Sequence, residues 1–170
     1  AAIGRLSAVP ALLRLICQNT GMGFAAVARV TDGSWTACAV QDDIAFGLLP
    51  GGELDVTTTL CRESRTARQP VVIDHASEDP RYRYHHTPRL YNIQSYISVP
   101  IIHSNGDYFG NLCAIDPRPA RVEHRAHAGD LRADAARLRG DLRAPRGRLS
   151  PRRAAARRGV GVHLHPRSAA

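Results

Sequence analysis

The residues best equipped for chemistry cluster in one stretch. It runs Asp74-His75-Ala76-Ser77-Glu78-Asp79-Pro80-Arg81-Tyr82-Arg83-Tyr84-His85-His86 and continues to Tyr91-Asn92. Imidazoles and carboxylates are common metal ligands, so Asp74, His75, Glu78, Asp79, His85 and His86 raise the question of a metal site. Their spacing matches no structural zinc pattern, and His85 and His86 are adjacent, so they do not readily face one ion. No metal is expected. Asp79-Pro80 initiates a turn, which gives Asp79 a local role. Tyr82, His85, His86 and Tyr91 instead combine apolar bodies with polar tips, the composition that borders small-ligand pockets. No G-x-S-x-G, H-E-x-x-H or Gly-rich phosphate loop occurs, and no nucleophile stands beside an evident base. Cys17, Cys38, Cys61 and Cys113 contain no C-x-x-C pair and read as four small buried hydrophobes in a reducing compartment.

The elements that must position this stretch follow from pattern. Val9, Leu12, Leu13 and Ile16 keep helical spacing, with Ser7 as cap, Pro10 in the first turn and Gly21 and Gly23 as the stop. Residues 24–30 and 34–40 read as strands joined through Thr31-Asp32-Gly33. Asp55 is predicted to cap one helix running on through Arg68, with Val56, Leu60, Ser64 and Ala67 facing inward. Residues 70–74 form a short strand with Pro70 at its first position. Two apolar strands, from Ser95 to Ile102 and from Phe109 to Ile115, flank Ser104-Asn105-Gly106-Asp107. Asn-Gly predicts a hairpin with a type I′ turn, in which both central residues take positive φ. Residues 75–92 form a long connection, which is expected to be functional or to carry a helix. Side chains alternate across a strand, so Tyr96 and Ser98 face opposite to Ile97 and Val99.

Charge divides the chain. Residues 1–120 hold 10 Arg and 11 acidic residues, whereas residues 121–170 hold 13 Arg and 4 acidic residues, and the chain has no Lys. The net charge of +8 therefore belongs to the C-terminal part. With no interleaved aromatic there, nucleic acid is not expected as a partner. No apolar run approaches the roughly 18 residues a membrane span requires. The segment Leu6–Ile16 is broken by Pro10 and Arg14 and does not read as a signal peptide, so the expected location is cytoplasmic.

The segments GMGFAAVARV, TLCRES, RQPVVIDHASEDPRY, QSYISVPI and FGNLCAIDPRP, in this order and spacing, resemble a bacterial GAF domain. The similarity spans about residues 3–119 and is strongest to the GAF modules of two-component sensor histidine kinases. It implies an α+β fold: an antiparallel sheet with the terminal helices on one face and a loop and helix lid on the other, often over a small-molecule pocket. The Asn-Lys…Phe…Asp-Glu pattern of cyclic-nucleotide receptors is missing. So are the Asp-Ile-Pro motif of phytochromes and a Cys-His pair for bilin attachment. The clustered cysteines of the methionine sulfoxide reductases are not seen either, because Cys61 and Cys113 lie on separate elements. The phosphoacceptor helix and ATP-binding boxes of a kinase are also missing.

The expectation is a GAF domain over residues 1–120, its last helix extending to about 144 on Leu131, Ala135, Leu138 and Leu142. A disordered Arg/Ala-rich tail would follow over 145–170. The expected function is that of a small-molecule-sensing, non-enzymatic regulatory module of a two-component sensor, truncated before any kinase. The ligand would lie among Tyr82, His85, His86, Tyr91, Tyr96 and Ser98. Its identity and any cofactor stay open, and a homodimer through the terminal helices is the expected assembly. The alternative is a ligand-free structural or dimerisation module, or a degenerate fragment. The Arg-rich end has the composition of a GC-rich gene read out of frame.

Overall fold

In the first helix, α1 (Ala8–Thr20), Val9, Leu13, Ile16, Cys17 and Thr20 turn one buried stripe toward the sheet. Gly21 ends it at φ +69°, donating its N–H to the Cys17 carbonyl at 2.9 Å, a left-handed stop that glycine adopts without strain. The computed structural model describes residues 8–120 together with Ala133, Ala135 and Ala136. Ser7 and residues 145–170 lie outside the described residues, and with them the expected cap and the expected tail.

Six strands follow: β1 (Phe24–Val30), β2 (Trp35–Asp42), β3 (Glu53–Leu54), β4 (Val71–Ile73), β5 (Ser95–Ile102) and β6 (Tyr108–Asp116). They form one antiparallel sheet in the order β3-β2-β1-β6-β5-β4. Central β1 is buried on both faces except at Arg29, because each face is covered. On one face Ala25, Val27, Ile97, Val99, Ile101 and Leu112 pack with Val9, Leu13 and Ile16 of α1. Ala135, helical and buried, joins the same cluster. On the other face Phe24, Tyr96, Cys113 and Ile115 pack under a roof that includes Leu48, Val56, Leu60, Cys61 and Ile93. The α+β layering is the one expected, with Tyr96 and Ser98 on the roof side and Ile97 and Val99 on the α1 side.

Two local expectations change. Asp55 caps only a 3₁₀ turn (Val56–Thr58), accepting from the Thr57 N–H at 2.8 Å, and Thr59 is extended at φ −109°, ψ 145°. Helix α2 then spans Cys61–Ala67. The cause is the run Thr57-Thr58-Thr59. Threonine is stiff at χ1 and its hydroxyl competes for backbone groups; here Thr58 Oγ1 donates to the Asp55 carbonyl and Thr59 Oγ1 to that of Val56. The restart rotates the inner face, so Cys61 is buried with Leu60 and Ser64 while Ala67 is exposed.

The β5–β6 hairpin forms, but its turn is not type I′. Only Gly106 takes positive φ, at +88°. Gly106 N–H donates to the His103 carbonyl at 2.9 Å and His103 N–H to that of Asp107 at 2.7 Å. That is a turn closed by a left-handed glycine, the three-residue alternative to the two-residue loop. Asn105 spends its side chain locally, accepting from the Asp107 N–H at 3.0 Å. The long connection 75–92 carries a helix, as expected: α3 (His86–Tyr91).

Candidate functional site

A cavity of about 40 Å³ lies between the sheet and its roof. Phe24, Trp35, Tyr96, Cys113 and Ile115 supply its floor from β1, β2, β5 and β6. Its roof comes from Phe46 and Leu48 after β2, from Leu60 and Cys61 at the start of α2, and from Tyr91 and Ile93 at the end of α3. The walls are apolar, and the polar groups of the lining side chains are hydroxyls, thiols and the Trp35 indole N–H. A water-sized guest needs roughly 10–15 Å³ on this measure, so the space suits a species of a few heavy atoms.

Backbone anchoring holds the roof. The Asp42 carboxylate accepts from the N–H groups of Ile44, Phe46 and Gly47 at 3.2, 3.0 and 2.9 Å, which fixes the loop that carries Phe46. Phe46 then packs against Phe24 and Tyr91, with ring centroids 5.0 and 6.0 Å apart. Helix α3 is tied to the 3₁₀ turn by three contacts. Tyr91 OH meets Thr58 Oγ1 at 2.6 Å, Thr87 Oγ1 donates to the Thr58 carbonyl at 2.8 Å, and His86 Nε2 lies 3.0 Å from the Thr57 carbonyl.

The six residues singled out from sequence fall into two groups. Tyr91 and Tyr96 line the cavity. Ser98 is fully buried on the same side of β5, next to Asn111 and Cys61. Tyr82, His85 and His86 belong to an outer latch centred on Glu63 of α2. Glu63 accepts from Tyr82 OH at 3.2 Å, Arg81 Nη2 at 2.9 Å and His85 Nε2 at 3.2 Å. His85 Nδ1 accepts the Thr87 N–H at 3.2 Å and so caps α3. That arrangement needs a neutral ring with its proton on Nε2. Partial burial, reinforced by the neighbouring His86, lowers the His85 pKa against the opposing pull of Glu63. Burial, with the Glu63 charge second, pushes the Tyr82 phenol up to about 12.

Sequence reasoning missed Cys61, Cys113, Trp35 and the aromatic pair Phe24 and Phe46. The cysteines read as inert packing, yet Cys38 is only half-buried, and Cys61 and Cys113 come together on the cavity wall. Their separation along the chain hid this. Cys113 pairs opposite Ser98 in the β5–β6 ladder, which sets it on the face that carries Tyr96 and Ser98. The one signal available was therefore strand alternation across the hairpin.

A larger open concavity, about 410 Å³, lies at the outer ends of β1 and β6, where Arg65 is engaged by Asp32 at 2.7 Å and by the Tyr108 ring. Among the described residues no group of three His, Cys, Asp or Glu is placed to hold a metal ion, and no helix is long and apolar enough to cross a membrane.

Known proteins share this architecture. The sequence matches the model of the GAF domain family over residues 5–137. The fold is similar to that of the type II free methionine-R-sulfoxide reductase from Thermoplasma acidophilum, with TM-score 0.60 and 16% identity, covering 79% of this chain and 89% of that one. It is similar to the GAF domain of an Acinetobacter phosphoenolpyruvate-protein phosphotransferase, with TM-score 0.60 and 14% identity over 76% and 75% of the two chains. The blue-light-absorbing form of the Thermosynechococcus elongatus PixJ GAF domain gives TM-score 0.59 and 12% identity over 82% and 84%. At such identities the likeness is one of fold. No curated protein matches the sequence.

Proposed function

The chain belongs to the GAF domain family, and from that premise we propose that it is a small-molecule-sensing regulatory module of a bacterial signal-transduction protein. The observation that carries this reading is the apolar cavity between the sheet and a roof of short, hydrogen-bonded pieces. The resemblance to the GAF modules of two-component sensors supports a histidine kinase as the output partner and the cytoplasm as its location. The module itself is not an enzyme on this reading, and phosphate transfer belongs to its partner.

The physical mechanism is a population shift. A guest changes the balance between two arrangements only by binding one better than the other. Strands β1, β5 and β6 lay Tyr96 and Cys113 under the roof and Val27, Ile97 and Leu112 against α1. A shift that repacks one face is therefore felt on the other. The face of α1 and Ala135 is where a homodimer through terminal helices would receive the signal.

Xenon under pressure tests the cavity directly, since dry apolar cavities admit it. The expected result is one xenon between Tyr91, Tyr96 and Ile93. The small volume also favours a second reading, a ligand-free structural module. A cavity that stays empty under xenon would establish that reading instead.

A further inference from the structure

Cys61 has more partners than a packing thiol needs. It is 2% exposed at the start of α2, and Cys113, 5% exposed on β6, lines the same cavity. The Trp35 indole N–H donates to Cys61 Sγ at 3.2 Å, Tyr96 OH lies 3.2 Å away, and Ser98 Oγ donates at 3.9 Å. The Cys113 thiol, which lines the same cavity wall as Cys61, donates to the Ala26 carbonyl at 3.6 Å. An indole N–H is a donor only and a thiol sulfur is a weak acceptor. Converging donors on one buried sulfur make a shell for a negative sulfur, not for a hydrophobe.

The orientation of Ser98 strengthens this. Tyr108 OH donates to Asn111 Oδ1, and Asn111 Nδ2 donates to Ser98 Oγ. With that lone pair occupied, the Ser98 proton is directed at Cys61. Ser98 and Asn111 are fully buried, so this polar chain inside an apolar core has a fixed sense. The contrast with Cys17 is informative. Burial, helped by Asp43, Asp116 and Asp42, pushes the Cys17 thiol up to about 11. Cys61 goes the other way, because the hydrogen bond with Cys113, then those from Tyr96, Trp35 and Ser98, outweigh its burial.

We propose that Cys61 and Cys113 are a redox dithiol that a small hydroperoxide entering the cavity converts into a disulfide. The inference rests on the reading of this cavity as the sensory site and names the class of species sensed. Its volume of about 40 Å³ is large enough for hydrogen peroxide and too small for a bulky peroxide. The Cys61 thiolate attacks one peroxide oxygen, an S–O bond forms, and the O–O bond breaks. The departing hydroxide takes up the proton released by Cys61 and leaves as water. The Cys113 sulfur then attacks the sulfenic sulfur, the S–S bond forms, and the hydroxyl leaves as a second water with the Cys113 proton. The two thiols lose two electrons and two protons in all, and the peroxide gains them. In a reducing compartment such a disulfide is transient, as a signal must be.

The test treats the reduced full chain with limiting hydrogen peroxide and maps its cysteines by non-reducing peptide mass spectrometry. Cys61 is expected to react at least about tenfold faster than Cys38 or Cys17, because thiolate character controls thiol oxidation. A Cys61–Cys113 disulfide is the expected product. In Cys113→Ser the sulfenic acid on Cys61 should persist and be trapped by dimedone. Ser98→Ala and Trp35→Phe should shift the pH profile of Cys61 oxidation upward while leaving Cys38 unchanged, which a packing role would not do. Reaction of Cys61 no faster than Cys38, or pairing with another cysteine, overturns the proposal. Xenon binding to the reduced chain separates the two readings. Xenon entry without the disulfide overturns the dithiol and leaves the sensory cavity standing, whereas neither result overturns both.

Discussion

The phenol oxygen of Tyr91 lies 2.6 Å from the hydroxyl of Thr58, and this bond joins the end of α3 to the 3₁₀ turn across the top of the cavity. Tyr91 also lines the cavity. One residue thus closes the roof and shapes the wall.

Tyr91→Phe keeps the ring and removes the bond. It should cost about 0.5–1.5 kcal/mol, the net worth of an ordinary hydrogen bond. Most of the loosening should be local, so hydrogen exchange in residues 86–91 should quicken more than exchange in β1 or β6. Uniform acceleration across the sheet would show that Tyr91 supports the whole core instead.

The His85 cap should make the roof sensitive to pH. Its folded pKa is depressed, by burial first and then by His86. The stabilisation is therefore fully present above the ordinary histidine value of about 6.5 and is lost as pH falls through the lower folded value. Hydrogen exchange in residues 79–91, corrected for intrinsic rates, should show protection fading on acidification below that point. His85→Asn, which caps without titrating, should flatten the response. A profile unchanged in the variant would move the pH dependence elsewhere.

Buried Asp116 ties the start of β1 to the end of β6, accepting from the Gly23 N–H at 2.8 Å, the Arg118 N–H at 2.8 Å and Arg118 Nε at 2.9 Å. Burial works to raise its pKa, but the hydrogen bonds from Arg118 and Gly23 prevail and hold it below the usual carboxylate value. Its contribution is therefore present above about pH 4 and lost as pH falls through the lower folded value. Asp116→Asn should destabilise the domain by roughly 1.5–3 kcal/mol at neutral pH, as expected for charge-assisted bonds. Its acid denaturation curve should be shallower. Equal melting temperatures at neutral pH would contradict the assignment.

Two glycines separate strain from collision. A Cβ at Gly106 meets nothing within 4 Å, but the residue holds φ +88°, so Gly106→Val should cost about 1–2 kcal/mol from backbone conformation alone. A Cβ at Gly110 would overlap the Ala28 carbonyl of the neighbouring strand, and backbone cannot step aside. Gly110→Ala should therefore cost about 3 kcal/mol or more, at the upper end of overpacking. Chemical denaturation of both variants ranks them, and the reverse order would refute the β1–β6 contact.

Regular periodicity was legible in the sequence. The α1 stripe of Val9, Leu13 and Ile16 and the opposed faces of Tyr96 and Ile97 follow from spacing alone, and both stand in the structure. Local competition was not legible. The threonine hydroxyls at 58 and 59 bond backbone carbonyls and break one expected helix into two pieces. Asn105-Gly106 suggested two left-handed residues where one suffices. The site was harder still, because Trp35, Cys61, Tyr96 and Cys113 meet only through the order of strands and the phase of α2. Tyr91 stood out by composition, whereas Cys61 looked like one more small apolar residue.

The central claim is that occupation of the cavity is felt on the opposite face of the sheet. Amide NMR of the reduced chain under xenon pressure measures this directly. The account predicts saturable shifts at Tyr96 and Cys113 beside the cavity and also at Leu13 and Ile16 of α1, across the sheet from it. Saturable shifts confined to the cavity wall, with α1 unmoved, would contradict a sensory role and leave only a cavity.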